Sequence, residues 1–169
     1  MMLFHGSTQV VEQPNLKYCR KNTDFGKGFY TTTSKKQAEQ WCNILQKRIE
    51  NSMKIVSVYH FDEYMLKDNS FVVRDFNGIS EEWLDFIFAN RNGYKTQFFD
   101  IVLGPVANDS LYATLQIYEQ GIITKTQAIE RLKNHNLVDQ ISFHSSKALK
   151  MLKFVKSYEL TKTNQNVKK

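Results

Sequence analysis

Residues 3–8 read LFHGST and residues 24–32 read DFGKGFYTT. The first is a short apolar run that stops at His5, Gly6 and Ser7. The second turns through glycine, lysine and glycine into two aromatics and a run of threonines. LFH at 3–5 fits a short strand, and GFYTT at 28–32 fits another. Between them, residues 7–24 lack periodicity and carry Pro14, so they read as a loop.

The remaining elements follow outward from this pair. Ser34 starts a helix, with S-K-K-Q as a capping box and Gln37 three residues after the cap. Ala38, Trp41, Cys42, Leu45 and Ile49 recur at helical spacing and predict its buried face. KIVSVYHF at 54–61 alternates as a strand, and FVVRDF at 71–76 is a weaker one. Ser80 caps a helix to about Asn90, with Ile79 placed to staple onto Leu84. FFDIVLG at 98–104 predicts a central buried strand bounded by Gly104 and Pro105. A helix from Asn108 or Asp109 to Gln120 follows, closed by Gly121. T-K-T-Q at 124–127 is a second capping box, opening a helix to about Asn134. QISFH at 140–144 is a strand, SSKALKML a short helical turn, and FVKSYEL the final strand. The pattern predicts an α+β domain over 1–160 with roughly six strands and four helices. Residues 161–169 form a basic tail expected to be disordered.

Composition bounds the functions available. The chain has 169 residues, the length of one domain, with 41% hydrophobic and 24% charged residues. Aromatics reach 13%, including twelve Phe and eight Tyr. A formal net charge of +6 favours acidic partners such as nucleotides or nucleic acids. Cys19 and Cys42 form neither a disulfide framework nor CxxC metal spacing, so no metal is expected. No charged n-region precedes the short apolar N-terminus, and no apolar run suits a membrane span. A cytoplasmic protein is the expectation. There is no GxGxxG, and regular βαβ alternation is missing, which argues against a Rossmann sheet or P-loop.

The chemistry converges on the two opening stretches. Gly6 has no Cβ, so another group can approach its backbone closely. Its peptide groups can pair with an amide as an added strand would. His5 and Ser7 can hydrogen-bond hydroxyls. A ligand carrying both a carboxamide and ribose hydroxyls is NAD. Tyr30 and Trp41 are flat aromatics able to sandwich a flat, cationic nicotinamide. Each residue also has an ordinary reading: His5 as a structural histidine, Trp41 as core, and Asp109 as a helix N-cap.

LFHGST followed by DFGKGFYTTTSKKQAEQWC resembles the NAD-binding core of the ADP-ribosyltransferase superfamily. The likeness is closest to its histidine-tyrosine branch, which holds diphtheria toxin and the poly(ADP-ribose) polymerases. The whole chain further resembles a little-studied bacterial family of such domains, through FGKGFY, GPVAND and QISFH. The resemblance implies a split mixed β-sheet core with flanking helices. It implies that His5 contacts a ribose hydroxyl, that the Gly6 backbone holds the carboxamide, and that Ser7 contacts the adenosine-side ribose. Tyr30 and Trp41 would stack on nicotinamide. The 8–24 loop would cover NAD, with Arg20 pairing its pyrophosphate. A small hydroxyl residue is usual one turn before the second aromatic, and here that position is Ala38.

The branch usually places a glutamate at the start of a later core strand, where it stabilises the oxocarbenium-like transition state. The matching position is Gln140. Gln140, Ser142 and His144 share one face of their strand, and Ile141 and Phe143 the other. Glutamine keeps a hydrogen bond without the charge, a loss of a few kcal/mol or on the order of a hundredfold in rate. Such replacements accompany transfer of single ADP-ribose units, or inactivity. Asp109 is the first candidate to replace the charge, and Glu159 a weaker one. The expected function is mono-ADP-ribosyl transfer from NAD to a protein or nucleic-acid acceptor. Such a chain fits a toxin-like effector with a neutralising antitoxin as partner. The alternative is a weakly active or inactive module of the same fold that binds NAD, ADP-ribose or nucleic acid.

Overall fold

The computed structural model describes residues 1–105, 109–133 and 138–161, with the side chains of 109–112 outside that description. Its strands are β1 (Met2–Ser7), β2 (Phe29–Thr32), β3 (Ile55–His60), β4 (Val73–Asp75), β5 (Ile101–Pro105), β6 (Asp139–Phe143) and β7 (Lys153–Glu159). Its helices are α1 (Lys35–Arg48), α2 (Glu81–Arg91), α3 (Asp109–Glu119), α4 (Lys125–Lys133) and α5 (Ser146–Leu149). The strands form one sheet in the order β4-β5-β6-β2-β1-β3-β7. Only β4 and β5 run parallel, so the sheet is mixed. The α+β class is therefore as expected. The count of about six strands and four helices is corrected to seven and five, because three-residue β4 and one-turn α5 both qualify.

Pairing along the sheet is uneven, and this creates the seam on which the site depends. β1 pairs with β3 through six consecutive residues, from Met2↔His60 to Ser7↔Ile55. β2 pairs with β6 along its whole length, from Phe29↔Phe143 to Thr32↔Gln140. Between β1 and β2 the only residue pair is Phe4↔Thr32. Beyond Phe4 the two strands diverge, so the sheet is two half-sheets joined at one position.

The helices respect the same division. On one face, Leu3, Phe29, Tyr59, Ile141 and Phe143 build a core with Leu149 and Leu152. On the opposite face, α2, α3 and α4 bury Trp83, Leu84, Leu115 and Leu132 against Val102. Separately, α1 buries Ala38 and Cys42 against Val56 and Val58. The seam falls between those two helix groups.

Local chemistry explains the element ends. The Ser34 hydroxyl accepts from the Gln37 amide. The expected reciprocal half of that capping box does not form, because Gln37 Oε1 is taken by the Thr32 hydroxyl at 3.2 Å. At α4 the box closes in both directions between Thr124 and Gln127. Ser80 caps α2, and Ile79 and Leu84 lie in one cluster as the staple requires. Gly121 adopts φ +71°, a backbone state that glycine reaches without strain and that terminates α3.

Two expectations need correcting. The buried face of α1 consists of Ala38, Cys42 and Leu45. Trp41 is 39% exposed and Ile49, the C-cap, is 50% exposed. Strand β5 begins at Ile101, since Phe98 is exposed and the Asp100 amide bonds to the Val72 carbonyl outside the ladder. The 8–24 loop runs in part along the far face of the sheet. Val11, Leu16 and Cys19 pack against the far-face core, and the Val11 amide donates to Ser57 Oγ at 3.0 Å. Residues 162–169 lie outside the described residues.

Gly6 is where α1 presses on β1. A Cβ there would enter the Ala38 carbonyl oxygen and sit 3.0 Å from Cys42 Sγ. The obstacle is backbone, so the helix itself must move. Gly6→Ala is expected to lower unfolding free energy by about 1–3 kcal/mol, read as a reduced urea midpoint at unchanged slope.

Candidate functional site

His5 stands at the point where β1 leaves β2. Its Nδ1 lies 2.7 Å from the Tyr30 carbonyl oxygen. A carbonyl only accepts, so Nδ1 carries the proton and Nε2 is left with its lone pair. The ring rests on Phe29, with centroids 4.3 Å apart at 34°. Burial lowers the His5 pKa, and the bond to Tyr30 opposes that shift only in part. His5 is therefore a neutral, oriented hydrogen-bond acceptor.

Tyr30 is half-buried on the opposite side of β2. Its phenol accepts from the Phe25 amide at 2.9 Å and the Thr23 hydroxyl at 2.8 Å, and it donates to the Gly26 carbonyl at 2.7 Å. Burial pushes its pKa well above the usual phenol value. The hydroxyl is thus a latch on the 23–26 turn, and the ring is the part left for stacking. Phe25 lies 6.4 Å from that ring, and His144 meets it edge-on at 6.2 Å.

The glycines of FGKGFY serve this arrangement. Gly26 has φ +82°, which lets the turn fold back onto the phenol. A Cβ on Gly28 would lie 2.6 Å from the His144 ring. His144 Nδ1 donates to the Lys27 carbonyl at 3.0 Å, which leaves Nε2 to accept from the Ser142 hydroxyl at 2.8 Å. Burial lowers the His144 pKa against the raising effects of the Lys27 bond and the Asp100 charge. The Ser142–His144 pair sits directly across from Tyr30 in the Tyr30↔Ser142 register. Sequence reasoning gave neither residue a role in the site, although their shared strand face was the available signal.

The other expected residues divide. Gly6 is buried at the seam beside His5, beneath Ala38 and Cys42 of α1. The Ser7 hydroxyl bonds locally to the Gln9 carbonyl. Trp41 stands one turn after Gln37, whose side chain reaches Thr32 of β2, so it occupies the seam-facing flank of α1. The Arg48 guanidinium covers its ring at 5.6 Å. Gln140 is 5% exposed and Nε2 points to the Pro105 carbonyl at 3.5 Å. It neighbours Thr32 in the register, two residues along β2 from Tyr30. Arg20 is exposed in the loop. Glu159 is exposed on edge strand β7. The Asp109 side chain lies outside the described residues. The topology thus brings His5, Tyr30 and Gln140 onto three adjacent strands, β1, β2 and β6.

Cavities lie on both faces of the sheet. One of about 190 Å³ lies beside Tyr30, bounded by Phe25, Gly26, Phe86, Phe98 and His144. The other, of about 340 Å³, lies on the far side between Glu12–Leu16 and Leu149–Leu152. Among the described residues, no cluster of His, Cys, Asp and Glu could hold a metal, and no helix is long and apolar enough to cross a membrane.

The family model described as "Protein of unknown function (DUF3990)" matches residues 1–154, and the chain belongs to that family. No curated protein and no solved structure matches it.

The two lowered histidine pKa values give a pH signature. Both imidazoles are neutral when folded, and the unfolded chain takes up their protons first as pH falls through about 6.5. Stability is fully present above that pH and declines below it. Urea midpoints should therefore fall on the acid side of about 6.5, and the double variant His5→Asn, His144→Asn should flatten that decline.

Proposed function

We propose that this chain transfers a single ADP-ribosyl group from NAD to a macromolecular acceptor, releasing nicotinamide. The observation that carries this reading is the seam itself. Past Phe4, the β2-facing edge of β1 has no strand partner, and the neutral His5 beside it keeps one acceptor nitrogen free of the Tyr30 bond. An unpaired strand edge suits a planar carboxamide, which offers one donor side and one acceptor side. The His5 Nε2 lone pair suits a ribose hydroxyl. Tyr30 supplies an aromatic face, its own hydroxyl being held away in the 23–26 turn.

In this reaction the bond from ribose C1′ to the nicotinamide nitrogen breaks, and its electron pair leaves on nicotinamide. The acceptor nucleophile bonds to C1′ and releases its proton to solvent. The protein's part is to hold the ring and ribose and to stabilise positive charge developing at C1′. Gln140, from strand β6, offers a side-chain carbonyl for that purpose, weaker than a carboxylate because it is uncharged. Trp41 on α1 is placed to close over the ligand from the helix side, once Arg48 moves off its ring.

A second reading, NAD or ADP-ribose binding without turnover, draws on the burial of Gln140 and its bond to Pro105. A toxin role and a neutralising partner belong to the same proposal and rest on the sequence resemblance.

Incubation with labelled NAD and a cell extract separates the readings. Transfer predicts nicotinamide release with label on a macromolecule. Gln140→Ala is expected to slow that release by about tenfold or more while thermal unfolding stays cooperative. Stabilisation by NAD without release would leave only the binding module, and a folded sample indifferent to NAD would remove both.

A further inference from the structure

We propose that the aromatic cavity beside Tyr30 is the acceptor site of the transfer reaction, and that it takes an unpaired nucleobase of single-stranded nucleic acid. The inference rests on the transferase reading for its role, but the cavity argues for its occupant independently. At about 190 Å³ it is smaller than the roughly 300–1,000 Å³ of pockets for drug-sized ligands. It suits one ring rather than a dinucleotide.

Its lining selects the kind of ring. Phe25, Phe86, Phe98 and Phe99 contribute faces and edges, and Phe86 meets Phe99 edge-on at 5.8 Å. Phe98 is 61% exposed, which leaves its ring open to a planar partner. Gln97 stands at the same wall with an amide able to read a base edge in both donor and acceptor senses. Asn90 is satisfied internally, donating to the Phe86 carbonyl and accepting from the Thr96 hydroxyl, so it fixes the wall.

Charge around the mouth decides between a nucleobase and an aromatic side chain of a protein. Lys27 lines the cavity, and Lys95 precedes its Thr96–Phe99 wall. Gly93, three residues before that wall, lies beside the Asn22 side chain, and exposed Arg20 and Lys21 immediately precede Asn22. The acids near the cavity are Asp24, in the turn before Phe25, and Asp100, which follows Phe99, acts on His144 and is paired with Lys147. Exposed aromatics interleaved with cations match single-stranded nucleic-acid platforms, where phosphates meet the cations and bases stack. Duplex bases are already stacked and would not enter.

The cavity also lies where an acceptor must be. Phe25 and Gly26, which line it, both bond to the Tyr30 phenol, and His144, which also lines it, meets the Tyr30 ring edge-on. A base seated there would be separated from the seam only by Tyr30.

Fluorescence anisotropy tests this with labelled DNA and RNA oligonucleotides of about 12 nucleotides, single-stranded and as duplexes. Single strands should bind more tightly than duplexes. Phe98→Ala should weaken single-strand binding by about tenfold and leave the NAD-induced thermal shift intact. The pair Lys27→Ala, Lys95→Ala should make the salt dependence shallower by about one unit of log–log slope. His5→Ala should do the reverse of Phe98→Ala, removing the NAD shift while oligonucleotide binding persists. Absence of single-strand binding, duplex binding of equal strength, or an unchanged affinity in Phe98→Ala would overturn the proposal even if NAD transfer to proteins occurs. Phe98-dependent single-strand binding with no NAD effect would instead sink the transferase reading and leave a nucleobase site.

Discussion

One hydrogen bond governs the centre of this molecule. His5 donates through Nδ1 to the Tyr30 carbonyl at the place where the β1–β2 ladder has stopped. A backbone acceptor that would otherwise be orphaned is thereby satisfied by a side chain. The same bond sets the tautomer of His5, holds its ring on Phe29, and lets the two half-sheets part. Without it the seam would expose a buried carbonyl, and the strands would gain by zipping shut.

The two sides of the seam are supported differently. On the β1 side the support is helix α1, pressed so close that only glycine fits at position 6. On the β2 side the support is a turn, and its stability comes from three hydrogen bonds to one phenol. The first is a rigid wall. The second is a local polar network over the aromatic cluster of Phe25, Phe76 and Phe86. The aromatic surplus is shared with the far-face core, where Phe29 meets Tyr59 and Phe61 meets Phe143 edge-on.

The sequence made the local elements legible because each carried its own signal. Alternation located β3, the Ser34, Ser80 and Thr124 caps located three helices, and paired glycines located the Tyr30 turn. The seam had no signal in the sequence pattern, since strand separation depends on what lies beside each strand. Residue spacing assigned Trp41 to the buried stripe of α1, but the sheet lies beneath Ala38, Cys42 and Leu45, leaving Trp41 on the flank. The apolar run at 98–104 concealed a boundary, because its first two phenylalanines line a cavity and only the later residues enter the sheet. The path of the 8–24 loop depended on Val11 and Leu16 finding the far face, a long-range choice that no local pattern announces. The alternation of QISFH put Gln140 and Ser142 on one face and Ile141 and Phe143 on the other, but it carried no signal that this strand pairs with β2.

The strand order also dictates when the fold becomes possible. Strand β6, at Asp139–Phe143, inserts between β5 and β2, and β7, at Lys153–Glu159, closes the outer edge of β3. Both half-sheets thus wait for segments made late in synthesis, and the Thr32–Gln140 neighbours must close a loop of more than a hundred residues. Such distant closure is slow and leaves strand edges exposed meanwhile. A nascent chain stopped before β6 can form helices but not the half-sheet that carries Tyr30. Competence therefore arrives only once β6 has been made, which withholds the site from chains that stop before it.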